Sequence, residues 1–198
     1  AAQKLGAQLH EQSAVTGYSE NGRIRVSTEQ GQFDCAHHVL ACNGYLDGLS
    51  PPAQRRMLPI NNFILVTEPL GPERSRKINR DNVSACDTLF VVNYWRLTPD
   101  GRMLWGGGES TGRRFPQDLR SLVRKRMLAV YPDLADVAST HAWGGTLAIT
   151  GTRFPLFHKP DQGVMAIGGW SGSGIHMATM GGKIAAEAMT GNSGDWDL

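Results

Sequence analysis

The chain has 198 residues, 40% of them hydrophobic, which is enough for one large domain or two modest domains with buried cores. Its formal net charge of +2 lacks the basic excess typical of nucleic-acid-binding proteins, and no apolar run is long enough to span a bilayer. The three cysteines, Cys35, Cys42 and Cys86, lack the spacing of a zinc site or a disulfide framework, so we expect a cytoplasmic protein without a metal centre.

The N-terminal part of the chain alternates strand and turn signals. Ile24, Val26 and Thr28 alternate with polar residues between the turn pairs Asn21-Gly22 and Gln30-Gly31, which is a hairpin pattern. The apolar run HHVLAC that follows is typical of a strand buried in a parallel sheet, and NGYLDGL then leaves it as a loop. The predicted elements are a helix end over 1–6 and strands within 6–21, 22–31 and 31–42.

Residues 51–150 are rich in strand-forming residues. The turn Pro99-Asp100-Gly101 lies between two apolar stretches, as expected where two strands are connected. A helix is predicted with Pro116 in its first turn and its end before Pro132, because apolar residues recur between them at helical spacing. Those apolar residues are Leu119, Leu122, Val123, Met127 and Val130. We therefore expect an antiparallel sheet with one helix across it.

Residues 151–198 predict a short strand, GVMAIGG, then the glycine-dense loop GGWSGSG and a small-residue helix that begins near Ile175. Glycine at such density is favourable where the main chain must adopt positive φ or approach another group closely. A turn that enters a helix N-terminus also exposes N–H groups at the positive end of the helix dipole. The loop is therefore a candidate site for an anion or for the electron-rich edge of a ligand.

The order of these motifs resembles a known family. The hairpin, VLACNGY, a β-rich insertion ending WGGTLAIT, and the final GVMAIGGWSGSGIHMATMGGKIAAEAMTG are similar to the second half of flavoproteins of the D-amino-acid oxidase superfamily, which includes glycine and sarcosine oxidases. Within it, NYWRLTPDGRMLWGGG with TGTRFPLF most resembles the γ-glutamylputrescine oxidoreductase branch. The resemblance covers nearly the whole chain, and its last motif is the most specific.

The resemblance implies an α/β fold that is α+β in the insertion. Residues 1–50 and 151–198 would be the middle and C-terminal segments of a glutathione-reductase-like FAD-binding domain, and 51–150 an antiparallel substrate-binding domain. The G-x-G-x-x-G unit with which this family opens is missing from the sequence, since Gly106-Gly107-Gly108 has the wrong spacing and no helix start follows it. We therefore expect the C-terminal portion, or the ordered part, of a longer protein, inactive by itself.

The resemblance implies FAD as the cofactor. The strand around Val15 would reach the adenine end through its backbone, and the turn after the buried strand would pass near the pyrophosphate. The glycine loop would run beside the isoalloxazine ring, and the helix after it would direct its positive end at flavin N1 and the C2 carbonyl, favouring the reduced state. The implied cofactor-binding residues are Val15, Ala41, Cys42, Asn43, Gly44, Gly169, Trp170, Ser171, Gly172, Ser173, Gly174, Ile175 and His176.

Packing is the alternative explanation for several of these residues. Val15 also fits a core strand, Asn43-Gly44 a simple turn, and the glycine loop a tight contact between helix and strand. The family often has histidine where Ser173 stands, so the resemblance gives that side chain no specific role. His176 could hydrogen-bond a cofactor or substrate or could simply pack, because a helix N-terminus disfavours a charged imidazole.

Tyr94, Arg96 and Trp170 are the substrate-binding residues that the resemblance implies. Tyr94 and Arg96 should share one face of their strand and Trp95 should take the other, because successive side chains in a strand alternate. Trp170 would wall the substrate cavity. Core packing is the alternative for the aromatic residues, and no catalytic acid or base is assigned to the chain.

The implied reaction oxidises a C–N bond of a small amine or amino acid by hydride transfer to FAD, and water hydrolyses the resulting imine. FAD would be noncovalent, because ITGTRFPLFHK lacks the attachment cysteine of some relatives. RMLWGG lacks the oxygen-activating lysine of the sarcosine oxidase branch, which leaves oxidase and dehydrogenase both open. The alternatives are a flavoprotein of another reaction type, such as a tRNA-modifying or dehydrogenase relative, and a non-catalytic binding module; substrate identity and oligomeric state are open.

Expressed by itself, this chain should bind FAD weakly, because the pyrophosphate site of the G-x-G-x-x-G unit is missing. Flavin absorbance that co-elutes with the chain in gel filtration measures the binding, with the full-length protein as the positive control. Stoichiometric FAD retained on the isolated chain would contradict the expectation.

Overall fold

The computed structural model describes residues 1–112 and 114–192. Residues 193–198, at the end of the third predicted segment, lie outside the described residues. The chain divides into two compact units, one made of Ala1–Leu58 with the chain from Ala148 onward, and the other of Pro59–Leu147.

The secondary-structure elements are strands, α-helices and short 3-10 helices. The strands are β1 (Val15–Glu20), β2 (Ile24–Thr28), β3 (Gln32–Cys35), β4 (His38–Leu40), β5 (Met57–Pro69), β6 (Ala85–Cys86), β7 (Tyr94–Leu97), β8 (Arg102–Thr111), β9 (Ser139–Thr150), β10 (Leu156–Asp161) and β11 (Val164–Gly168). The α-helices are α1 (Pro51–Gln54), α2 (Gly71–Ile78), α3 (Leu119–Val130) and α4 (Gly174–Met189), and the 3-10 helices span Ala2–Leu5, Asn43–Tyr45 and Pro132–Leu134.

The first unit contains the predicted hairpins. Strands β1, β2 and β3 form an antiparallel sheet in that order. Gly22, in the first turn, has a φ of 81°, and the second turn is closed by the Thr28 N–H donating to the Gly31 carbonyl at 2.8 Å. Ile24 and Val26, on the inner face of β2, are 3% and 0% exposed, so the alternating pattern is confirmed.

Two of the predicted strand stretches are wrong in extent. Within 6–21 the strand begins at Val15, because the polar residues before it lack alternation and Gln12 has a φ of 54°, in the left-handed region. The stretch 31–42 is two strands, since a bend at Ala36 separates β3 from β4 and each joins a different sheet.

A second sheet of the first unit has the order β10-β11-β4. β11 pairs with β10 antiparallel and with β4 parallel, so the predicted parallel strand is confirmed. Every residue of β11 is buried. Met165 and Ile167 of this strand pack with Ala185 of α4, which places the C-terminal helix against the sheet.

The second unit is built on a sheet with the order β6-β7-β8-β5-β9. The pairs β6/β7, β7/β8 and β5/β8 are antiparallel. Helix α3 packs on this sheet and buries Val123 and Met127 against Phe63, Met103 and Trp105. The prediction of a mixed α/β chain with antiparallel sheets is therefore confirmed.

The prediction of one helix in this part of the chain is wrong. Helix α2 has the polar sequence GPERSRKI without an apolar stripe, and salt bridges from Arg74 to Asp136 and from Lys77 to Asp133, both 2.7 Å, connect it to the chain after α3. Helix α3 begins at Leu119 and not around Pro116, because Asp118 caps it by accepting the Ser121 N–H at 3.0 Å.

The apolar run around residues 89–92 is a loop and not a strand. Asp87 holds the base of this loop, because its carboxylate accepts the Asn93 N–H at 3.0 Å and the Asn93 Nδ2–H at 2.6 Å. Strand pairing resumes at Tyr94.

Val123→Ala should lower the free energy of unfolding by about 2 kcal/mol, because it removes two fully buried methyl groups and leaves a cavity. Val130→Ala, on the same helix, is the matched control and should be nearly neutral, since Val130 is 44% exposed while Val123 is 0% exposed. Urea unfolding measures both variants. Equal losses would show that the packing of α3 on the sheet is not as described.

Candidate functional site

The glycine loop connects β11 to α4 over residues 168–174. Gly169, Ser171 and Gly172 have φ values of 65°, 50° and 96°, all in the left-handed region. A β-carbon on Gly169 would also lie 2.5 Å from Thr150 Cγ2, so the packing requires glycine at that position. The main chain can therefore reverse direction within a few residues and enter the helix at Gly174.

Hydrogen bonds hold the middle of this loop in place. The Ser171 N–H donates to the Ala148 carbonyl at 3.1 Å. The Ser171 hydroxyl donates to the Gly169 carbonyl at 3.1 Å and accepts the Thr150 N–H at 3.3 Å. The loop is thus fixed to the end of β9 by contacts within the first unit.

The N-terminus of α4 is uncovered. The N-cap residue is Ser173, and no side-chain capping hydrogen bond is formed there among the described residues. The first-turn N–H groups of a helix have no hydrogen-bond acceptor within the helix itself. Ile175 is 91% exposed. Apart from its neighbours in the chain, a β-carbon built on Gly172 would have no described atom within 4 Å. A β-carbon built on Gly174 would lie 3.9 Å from Trp170 Cδ1, its nearest described neighbour. The positive end of the helix dipole therefore faces open space, which suits an anion or an electron-rich ligand edge.

The turn Ala41–Gly44 reaches the start of the glycine loop. β4 and β11 are parallel, so their carboxyl ends lie at the same edge of the sheet, and a β-carbon on Gly168 would lie 3.7 Å from Asn43 Cα. Asn43 has a φ of 49°, and its Oδ1 is buried with no hydrogen-bond partner in the described residues. A buried acceptor without a partner costs free energy, so this oxygen is a candidate contact for a ligand.

Three predicted cofactor-binding residues have packing contacts. Val15 and Cys42 are partly buried against the core of the first unit, and burial raises the pKa of the Cys42 thiol, which keeps it protonated. The Trp170 ring lies over Gly181, where a β-carbon would be 2.7 Å from its Cη2, and forms an edge-to-face contact with Phe157 at 6.4 Å. Ligand roles for these residues stay predictions.

Ser173 and His176 are exposed at the start of α4. Ala41 is also exposed, whereas Gly44 is half-buried. The structure thus brings the turn and the loop to one edge of the sheet, and the contacts of their side chains with FAD stay predictions.

The predicted substrate residues Tyr94 and Arg96 lie on β7, in the second unit, while Trp170 lies in the first. Tyr94 and Arg96 are exposed and share a face, whereas Trp95 stacks on Trp105 with ring centroids 4.8 Å apart. The predicted alternation along this strand is therefore confirmed, and the core-packing alternative applies to Trp95.

Tyr94 has two neighbours for which the sequence carried no signal. Its hydroxyl donates to Asn62 Oδ1 at 2.9 Å, and its ring lies over Gly106, where a β-carbon would overlap it. These contacts join β7, β8 and β5, and the pairing register of three strands is needed to find them.

Within residues 1–112 and 114–192, no group of three or more His, Cys, Asp or Glu is arranged to hold a metal ion. No helix among these residues is long and apolar enough to cross a membrane.

Comparison with known proteins gives a family. A family model described as DAO, FAD dependent oxidoreductase, matches residues 1–188. A probable oxidoreductase OrdL of Rhizobium meliloti is 38% identical over 98% of this chain and 45% of its own length. The γ-glutamylputrescine oxidoreductase of Escherichia coli is 31% identical over 97% of this chain and 45% of its own length. The chain thus spans about half the length of these relatives.

A solved structure of L-proline dehydrogenase from P. horikoshii superposes with a TM-score of 0.76 and 23% identity, over 96% of this chain and 52% of that one. At this identity the likeness shows the fold. It agrees with the mixed α/β architecture described above.

Gly169→Ala should destabilise the protein by about 3 kcal/mol, because it combines a left-handed φ with a β-carbon that overlaps Thr150. Gly172→Ala has the same kind of φ but an open surrounding, so its cost should be about 1 kcal/mol. Thermal unfolding of both variants tests this difference. A Gly169→Ala variant as stable as Gly172→Ala would show that Thr150 does not confine the loop.

Proposed function

The chain belongs to the DAO family of FAD-dependent oxidoreductases, and from this premise we propose that the full-length protein oxidises a C–N bond of a small amine or amino acid. FAD, when bound, supplies the acceptor for the hydride that leaves the carbon beside the amine. Water then hydrolyses the imine to a carbonyl compound and a released amine or ammonia. The name of the γ-glutamylputrescine oxidoreductase relative supports an amine as the substrate class.

The domain organisation that we propose assigns residues 1–50 and 151–198 to a glutathione-reductase-like FAD-binding domain and 51–150 to a substrate-binding domain. Two observations support it. The mixed sheet combines β4 from the first segment with β10 and β11 from the last. The chain passes from one compact unit to the other after Leu58 and after Leu147, close to both proposed domain boundaries.

The residues of the candidate site fit a flavin. Asn43 Oδ1 is a buried oxygen without a partner in the described residues, and the uncapped N-terminus of α4 offers N–H donors. The space at Gly172 and Gly174 is open, whereas the loop behind them is fixed by Ser171. Together these features form an anchored edge with N–H donors at the helix and one acceptor at Asn43, and open positions at Gly172 and Gly174.

The observation that carries the proposal is this uncovered N-terminus of α4 behind an anchored glycine loop. In a site of this kind the helix dipole stabilises negative charge that develops at the facing edge of the cofactor. The fixed main chain needs no reorganisation when that charge appears, so stabilisation is available during electron transfer. Gly172 and Gly174 leave room for the cofactor because they lack side chains.

FAD is the cofactor of this family, and noncovalent binding is its usual mode. Cys42 is the cysteine of the candidate site, and its raised thiol pKa leaves it a poor nucleophile. We therefore propose that Val15, the turn Ala41–Gly44 and the residues from Gly169 to His176 hold FAD without a covalent bond.

We propose that Tyr94, Arg96 and Trp170 contact the substrate. The exposed face shared by Tyr94 and Arg96 is opposite the packed Trp95, so the core of the second unit holds the strand that carries them. A tyrosine hydroxyl and a guanidinium can orient polar groups of the substrate, and orientation of the reacting C–H bond is the main demand of hydride transfer.

Gly174→Val should weaken FAD binding and slow anaerobic flavin bleaching by amines at least tenfold, because its side chain would enter the space in front of the helix. The probes are γ-glutamylputrescine, sarcosine and L-proline. FAD content is measured by absorbance of the purified full-length protein and bleaching by stopped-flow spectroscopy.

Gly182→Val is the matched control on the same helix, where a β-carbon meets no described atom within 4 Å. It should keep FAD and bleach at the parent rate. If Gly174→Val did the same, the loop would have a packing role and no contact with flavin. If the parent protein contained no flavin, a non-catalytic binding module would replace the proposed enzyme.

A further inference from the structure

The side chain of Tyr94 crosses a neighbouring strand. Tyr94 on β7 pairs with Gly106 on β8, which in turn pairs with Ile64 on β5. The phenol ring lies over Gly106, and its hydroxyl reaches Asn62 on β5. Any side chain at position 106 would occupy the space of the ring. Glycine therefore lets a tyrosine from one strand reach an amide two strands away.

The hydrogen bonds of this group fix its polarity. The Tyr94 hydroxyl donates to Asn62 Oδ1 at 2.9 Å. The orientation of the Asn62 amide is set by its other end, because Nδ2–H donates to the Gly108 carbonyl at 3.2 Å. A phenol has one proton to donate and two lone pairs that accept. With its proton committed to Asn62, Tyr94 presents an acceptor to any ligand that approaches.

The side chain of Tyr94 is partly exposed. Tyr94 is 36% exposed and lies on the strand face away from the core. Burial raises the pKa of its hydroxyl, so the group stays protonated and keeps its bond to Asn62. Arg96, on the same face, has a guanidinium that can donate and cannot accept. The face thus offers one acceptor and one donor at separate positions.

We propose that the Tyr94 oxygen accepts a hydrogen bond from the N–H of the substrate amine, and that Asn62 is a positioning residue that holds Tyr94 in this acceptor state. This inference rests on the proposed function, since it takes Tyr94 as part of an amine site. A substrate carboxylate can only accept hydrogen bonds, so it would be repelled by the acceptor oxygen of Tyr94 and attracted by the donor guanidinium of Arg96. The pair therefore sets which end of the substrate lies where.

Tyr94→Phe keeps the ring and removes the acceptor. In the full-length, FAD-containing protein it should raise the Kd for γ-glutamylputrescine about fivefold, the usual contribution of one neutral hydrogen bond. The Kd comes from the concentration dependence of anaerobic flavin bleaching. Tyr18→Phe is the matched control, because the Tyr18 hydroxyl also donates to a side chain, Asp161 Oδ2, at 2.8 Å, and its loss should leave the Kd unchanged.

Asn62→Leu separates positioning from structural damage. It frees the Tyr94 proton, so γ-glutamylputrescine should bind roughly fivefold more weakly while propionate, a carboxylate probe that competes for the site, binds more tightly. A merely structural role would weaken both probes together, and that result would overturn the inference. Tyr94→Phe remains a test if Asn62→Leu does not fold.

Gly106→Ala displaces the ring and should weaken γ-glutamylputrescine binding at least as much as Tyr94→Phe. Gly145→Ala is its control in the same sheet, since a β-carbon there meets no described atom within 4 Å. Unchanged binding in both Gly106→Ala and Tyr94→Phe would overturn the inference while leaving the proposed function intact. If the parent protein binds FAD but no amine bleaches the flavin, both the inference and the proposed function are overturned. This result is seen with the parent protein, without any variant.

Discussion

The parallel pairing of β11 with β4 is the constraint on which the candidate site depends. Val164, Met165 and Ala166 pair in register with His38, Val39 and Leu40. Because the two strands run in the same direction, the segments that follow them leave the sheet at the same edge. The turn with Asn43 and the loop from Gly168 become neighbours for this reason, although they are far apart in the sequence. Helix α4 then starts from a point that the sheet determines.

Glycines in this protein serve two different physical purposes, and the space around each one separates them. Gly169 and Gly181 are required by close neighbours, Thr150 and the Trp170 ring, so their role is packing. A β-carbon on Gly172 would meet no described atom within 4 Å, and one on Gly174 would meet Trp170 Cδ1 at 3.9 Å, so close packing does not require glycine there, although the left-handed φ of Gly172 favours it. The same loop can therefore be rigid at its base and accessible at its tip. Preorganised N–H donors of this kind are effective because they do not have to move when charge develops.

In the second unit, the buried face of β7 controls what its exposed face can do. Trp95 stacks on Trp105 and meets Tyr131 edge to face, which fixes the strand against the core. Tyr94 lies on the opposite face, and its hydroxyl donates a hydrogen bond to Asn62 Oδ1. The packed face fixes the strand, and the bond from Asn62 Nδ2–H to the Gly108 carbonyl sets the hydrogen-bond polarity on the exposed face. On our proposal, this exposed face carries an acceptor at Tyr94 and a donor at Arg96.

The sequence by itself determined features that depend on near neighbours along the chain. The β1–β2 turn at Gly22, the end of α3 before Pro132 and the alternation around Trp95 all follow from local φ preferences and side-chain periodicity. The tertiary structure decided what depends on distant partners. Helix α2 is polar and is held by salt bridges to residues after α3, so hydrophobic periodicity did not indicate it. Likewise Asn62 meets Tyr94 because three strands align in one register, and a register is set by the packing of whole sheets, which single-residue propensities do not encode.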